Sequence, residues 1–136
     1  MVFLKKKDLI YPDLSYLILN CVFKIHNTLG GGLSEKDYQN ALASEFKSRK
    51  VLFEEQHYLP LDYCGIHIRK RFCDFLIEDK IIIEIKSGTR IKYKDFKQTE
   101  EYLKVKNCKL GLQIVFGREY VTFKRVLNLG EETNNV

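Results

Sequence analysis

Arg71-Phe72-Cys73-Asp74-Phe75-Leu76-Ile77 and, three residues later, Ile81-Ile82-Ile83-Glu84-Ile85-Lys86 decide the fold. Four isoleucines in five positions read as a strand buried on both faces. Side chains alternate across a strand, so Glu84 and Lys86 share a face with Ile82, ~6.6 Å apart along the chain at ~3.3 Å per residue. Ile81, Ile83 and Ile85 point the other way. Two charges on a central strand are costly unless they are paired, hydrated or bound to a metal. The same alternation puts Asp74 with Phe72 and Leu76 on one face of the preceding strand. The turn Glu78-Asp79-Lys80 pairs the two strands antiparallel and brings Asp74 beside Glu84.

Two readings fit these residues. Glu84 and Lys86 could form an internal ion pair, with Asp74 in water at a strand end, because structural pairs also have this spacing. Alternatively, Asp74 and Glu84 are hard oxygen ligands of a divalent cation, and Lys86 stands beside a nucleophilic water. An aspartate, nine intervening residues and then Glu-x-Lys resembles the core of the PD-(D/E)XK nuclease superfamily.

Composition narrows the class. A chain of 136 residues, 45% hydrophobic and 30% charged, is one domain with a real core, here residues 1–136. No apolar run approaches the ~20 residues of a membrane span. The start Met1-Val2-Phe3-Leu4 before Lys5-Lys6-Lys7 lacks the apolar region of a secretory signal. Cys21, Cys64, Cys73 and Cys108 are scattered without a C-x-x-C pair, which favours a reducing compartment, the cytoplasm by default, and argues against zinc. The net charge is +5, and Lys86 to Lys109 alone holds eight basic residues against Asp95, Glu100 and Glu101. Arg69-Lys70-Arg71 is a second basic cluster. Lysine-rich faces are often only solvated, but cations flanking an anionic metal site suit a phosphate backbone.

Taken in order, residues 1–12 form a basic leader. Asp13 is placed to cap a helix over Leu14–Leu29, whose apolar residues follow helical spacing. His26, near its last turn, is left outside the site. Gly30-Gly31-Gly32 makes a sharp turn, and Ser34 with Asp37 forms a capping box for a second helix over Ser34–Lys50. Glu35 extends the stripe of Tyr38, Leu42 and Phe46, or serves only the helix macrodipole as a first-turn carboxylate. Strands follow over Val51–Tyr63, with Pro60 marking an edge or a bulge, and over Ile66–Ile77 after a Cys64-Gly65 turn. Ile81–Lys86 is the third strand. A helix over Lys94–Val105 carries Gln98 and Tyr102 four apart on one face. Leu110–Val115 and Tyr120–Leu127 are the last strands, and residues 130–136 are a polar tail. The fold expected is α/β, a mixed β-sheet flanked by helices in ααβββαββ order.

Gly32-Leu33-Ser34-Glu35-Lys36-Asp37-Tyr38, with Ala41-Leu42 behind it and His26-Asn27-Thr28-Leu29-Gly30 before it, resembles the GxxExxY family of that nuclease superfamily. The resemblance runs from about Leu14 to Asn128. It departs at Gly31, where the family usually has proline, and at Cys73, where alanine is common. Gln98-x-x-x-Tyr102 is similar to the glutamine-tyrosine motif of nuclease domains attached to recombination helicases. The resemblance implies a metal-dependent nuclease, a hydrolase of phosphodiester bonds. Asp74, Glu84 and the Ile85 carbonyl would hold Mg²⁺ or Mn²⁺, and Lys86 would orient the attacking water. Glu35 would contact the metal shell, and Gln98 and Tyr102 would position water or phosphate. Arg69, Arg71, Arg90, Lys92, Lys94 and Lys97 are the expected nucleic-acid contacts. The expected partner is nucleic acid, DNA first, with no membrane and with a homodimer left open. The alternative is a catalytically idle nucleic-acid-binding or regulatory module on the same fold.

Overall fold

The isoleucine run forms the centre of the molecule. In a computed structural model, which describes residues 10–130, β5 (Ile81–Ser87) lies in the middle of a five-stranded sheet, and Ile81 through Ile85 are all buried. The basic leader and the polar tail lie almost wholly outside the described residues. The remaining elements are α1 (Pro12–Leu29), α2 (Glu35–Ser48), β1 (Phe53–Tyr58), β2 (Leu61–Tyr63), β3 (Ile66–Arg69), β4 (Phe72–Ile77), α3 (Tyr93–Lys106), β6 (Leu110–Phe116) and β7 (Val121–Leu127). The sheet order is β1-β4-β5-β6-β7. β5 runs antiparallel to β4 and parallel to β6, with α3 as the crossover between the parallel pair. The architecture is therefore α/β with a mixed sheet.

Both faces of the sheet are covered, as the uninterrupted isoleucines require. Ile81, Ile83 and Ile85 pack with α1 and α2 residues such as Ile18, Leu42 and Phe46. Ile82 and Leu76 pack on the opposite side with Leu103 and Tyr102 of α3. Gly111 of β6 permits the close seating of α3, since a Cβ there would lie 2.7 Å from Thr99 Cγ2.

The helix ends follow local chemistry. Ser34 and Asp37 form the expected capping box at α2, Asp37 N–H donating to Ser34 Oγ at 3.1 Å and Ser34 N–H to Asp37 Oδ2 at 3.3 Å. At α1 the expected cap is corrected: Tyr11 is the N-cap, Pro12 takes the first helical position and Asp13 sits inside the first turn. Proline lacks the N–H that would be orphaned there, and the Asp13 carboxylate still meets the positive end of the helix. Tyr38 ties the two helices together, its ring stacked on Phe116 at 4.1 Å and its hydroxyl donating to the Gly30 carbonyl at 2.7 Å.

The long hairpin is divided rather than continuous. β1 pairs with β4 in the main sheet, while β2 and β3 form a separate two-stranded sheet. The break falls at Leu59-Pro60 and Lys70-Arg71, where Pro60 has no ladder donor and Leu59 N–H donates to the Arg71 carbonyl at 2.7 Å. Among the described residues no helix is long and apolar enough to cross a membrane.

Candidate active site

β4 and β5 pair through Phe75↔Ile83, Leu76↔Ile82 and Ile77↔Ile81, and one further step of this register sets Asp74 opposite Glu84. There the two strands part, and a side chain enters the gap. Asp74 Oδ2 accepts from the Ile85 N–H at 2.8 Å, and Oδ1 accepts from Gln56 Nε2 at 3.2 Å. The carboxylate thus lies between strands rather than standing on a face with Phe72 and Leu76. The strand twists at this point: Phe75 packs toward α1 and α2, whereas Cys73, two residues away, packs toward α3.

Glu84 faces α3 and is 8% exposed, with a buried Oε1 that has no hydrogen-bond partner. Burial pushes its carboxyl well above the usual range. The Asp74 charge and a hydrogen bond shared with the Asp74 carboxyl raise it further, against the opposing pull of Lys86 and the Asp74 N–H. The orphaned oxygen is the observation that fits a cation here. Asp74 and Glu84 bring two carboxylates together here, hard oxygens of the kind Mg²⁺ accepts one or two at a time alongside several waters. Among the described residues no three His, Cys, Asp or Glu side chains gather into a metal-holding group, so a closed cage of side chains is not what this place offers.

A carboxyl raised in the folded state binds more protons there than in the unfolded chain. Its contribution to stability is complete below the ordinary carboxylate pKa and is lost as pH rises through the raised value. In chelator, Glu84→Gln should therefore gain on wild type as pH rises above the ordinary carboxylate range, with a slope of up to about 1.4 kcal/mol per pH unit. Melting curves of the two proteins at rising pH would show it, and a difference independent of pH would contradict the buried, proton-retaining carboxyl.

Lys86 does not pair with Glu84. Its ammonium, on a side chain 41% exposed, lies 3.7 Å from Asp95 Oδ1, and Asp95 is buried in the first turn of α3. Gln113, beside Glu84 in the β5–β6 register, donates through Nε2 to the Asp95 carbonyl at 2.9 Å and to Thr99 Oγ1. The sheet thereby fixes the helix turn that holds Lys86. Lys86 opens onto a cleft of about 530 Å³ whose walls include Arg69, Tyr93, Lys94, Lys97 and Gln98.

The other expected residues are distributed differently. Tyr102 is buried under the Arg71 guanidinium, 5.1 Å from ring centroid to Cζ, and its hydroxyl is pushed up to about 12, chiefly by burial and next by the Glu84 charge. It remains a protonated phenol at neutral pH. Arg71 is no surface cation: it is 5% exposed, its Nη1 donates to Glu101 of α3 at 2.5 Å, and its Nε and Nη2 are buried without a hydrogen-bond partner. Arg90 and Lys92 are exposed on the segment leading into α3, outside the walls of the cleft. Glu35 is exposed as the first residue of α2, one turn before Gln39. His26 is structural, its Nε2 2.7 Å from the Gly117 carbonyl.

Sequence reasoning missed Gln39, Gln56, Asp95 and Gln113. Gln113 had a signal, being the one polar side chain in Leu110-Gly111-Leu112-Gln113-Ile114-Val115-Phe116, as anomalous in its strand as Glu84 is in β5.

A central strand bearing Glu-x-Lys, an aspartate entering from its antiparallel neighbour and a helix crossing over to a parallel strand define a nuclease-like fold. The chain belongs to the PD-(D/E)XK nuclease superfamily, whose family model matches residues 12–126. The crystal structure of SSO0001 is similar in fold, with a TM-score of 0.53 at 20% identity over 72% of this chain. The chain spans about half of that protein, 52% of its length. No curated protein matches the sequence.

Proposed function

We propose that this chain is a divalent-metal-dependent nuclease of the GxxExxY branch that hydrolyses phosphodiester bonds of nucleic acid, with DNA as the expected substrate. The observation that carries this is the unpartnered Glu84 Oε1 next to Asp74, on a strand whose Lys86 opens into a basic cleft. Leaving a buried acceptor without a partner costs about 1–3 kcal/mol, a cost that a bound cation beside Asp74 would offset. Asp74, Glu84 and the Ile85 carbonyl would hold Mg²⁺ or Mn²⁺. When bound, such an ion supplies Lewis acidity toward the phosphoryl oxygen and lowers the pKa of its water.

The chain's own groups do the rest. Asp95 holds the Lys86 ammonium at the mouth of the cleft, where it offsets the charge that grows as water attacks phosphorus. Gln98 stands on the cleft wall within the same space and can orient water or a phosphate oxygen. Tyr102 supports from beneath as a neutral phenol. Arg69, Lys94 and Lys97 present cations to the substrate backbone, and Glu35, at the start of α2, would contact the metal shell.

The testing experiment incubates the purified protein with linear, nicked, flapped and four-way substrates in Mg²⁺ and in Mn²⁺. Cleavage of one or more is the expected outcome, and binding without cleavage of any would favour the idle module. Binding itself should fall steeply with salt. Reversing Lys94 and Lys97 to glutamate should weaken it and flatten the log-log salt slope by about 0.9 for each phosphate no longer neutralised. Reversing Lys92, outside the cleft, should do less. Binding that ignores salt would count against a nucleic-acid partner.

A further inference from the structure

Gln56 has a left-handed backbone, φ 49°, in the middle of β1. Non-glycine residues rarely adopt this conformation, and where they do the surrounding structure enforces it. No residue is inserted: Glu55↔Phe75 and His57↔Cys73 belong to one unbroken register, which sets Gln56 opposite Asp74. What changes is the facing of the strands. Glu55 turns toward α2 and bonds Gln39, and Phe75 opposite it packs toward α1 and α2, yet the next pair in register places Cys73 on the α3 side. Glu54 and His57, which regular alternation would set on opposite faces, also meet at 2.5 Å.

The twist lets one amide reach two elements. Gln56 Nε2 donates to Asp74 Oδ1 at 3.2 Å and to Gln39 Oε1 at 3.1 Å. Gln39 is 5% exposed and is anchored in turn to Glu55 Oε2 at 3.2 Å. With Ile85 N–H on Oδ2, each oxygen of the Asp74 carboxylate has one fixed donor, which sets the plane of the group and leaves lone pairs on both oxygens for another ligand.

We propose that Gln56 is a positioning residue for the metal site: its strained backbone holds the amide that orients Asp74, with Gln39 of α2 as its anchor. This rests on the reading of Asp74 as a cation ligand. Partners that orient a ligand in this way typically change metal affinity by about 10–100-fold when removed.

The test follows melting temperature against Mg²⁺ concentration for wild type, Gln56→Gly and Gln56→Asn, with chelator as the zero point. Glycine and asparagine both accept the left-handed backbone, and asparagine keeps an amide one methylene too short for Asp74. Both variants should fold and need roughly tenfold or more Mg²⁺ for half of their stabilisation, with kcat reduced and KM for nucleic acid unchanged. If wild type responds to Mg²⁺ and both variants titrate like it, Gln56 serves only the turn and the inference is wrong. If wild type itself shows no Mg²⁺ response, the metal reading of Asp74 fails first and this inference falls with it.

Discussion

Lys86→Ala is expected to slow phosphodiester hydrolysis by roughly 10²–10³ while leaving nucleic-acid binding almost unchanged, since a positioned donor to developing charge typically contributes that factor. The split between rate and binding follows from the geometry. The ammonium is held by Asp95 at the mouth of a cleft whose other cations, Arg69, Lys94 and Lys97, remain to hold the substrate backbone. Its own contribution is largest as water attacks, so its removal should lower kcat and kcat/KM together. Lys86→Arg should restore little, because a planar fork that can pair with the Asp95 carboxylate does not take the place of a compact point charge beside the attacking water. Cleavage that survives Lys86→Ala undiminished would place the chemistry elsewhere. Loss of binding in step with loss of rate would make Lys86 one more cation on the substrate backbone.

How much of this could be read beforehand depends on the range of the interactions. Glu84 and Lys86 share the α3-facing side of β5 because strand alternation is local and needs only that the isoleucine run be a strand. The approach of Asp74 to Glu84 was legible because a three-residue turn leaves little freedom of register; Glu78 and Asp79 adopt φ of 50° and 58° there. The side-chain partners were not legible. Lys86 pairs with Asp95 and not with Glu84 because the crossover helix returns over β6, a matter of tertiary packing set partly by Gly111 and Gln113. Arg69 and Arg71 look equivalent in Arg69-Lys70-Arg71, yet the chain leaves one sheet and enters another between them. One lines the cleft and the other is stacked on Tyr102. A left-handed glutamine inside a strand has no sequence signature, because Gln56 is an ordinary residue for an extended segment and its strain exists only against Asp74 and Gln39.

Asp74→Asn is expected to abolish the stabilisation by Mg²⁺ or Mn²⁺. With the cation at about 100 times its dissociation constant, a bound ion adds about 2.7 kcal/mol to wild type. For a domain of this size each kcal/mol moves the melting temperature by about 3–5 °C, so the wild-type shift should be on the order of 10 °C. In chelator the variant should differ much less, because two effects oppose each other. Removing one of two crowded carboxylates relieves repulsion with Glu84. But an amide has a single acceptor oxygen, and in wild type Asp74 accepts from both the Ile85 N–H and Gln56 Nε2. One donor must lose its partner, at a cost of about 1–3 kcal/mol. The decisive quantity is therefore the difference between melting temperatures with and without the cation, measured on the same variant. A shift of wild-type size in Asp74→Asn would sink the assignment of Asp74 as a ligand, and would leave its two hydrogen bonds as parts of a structural network in the gap between β4 and β5.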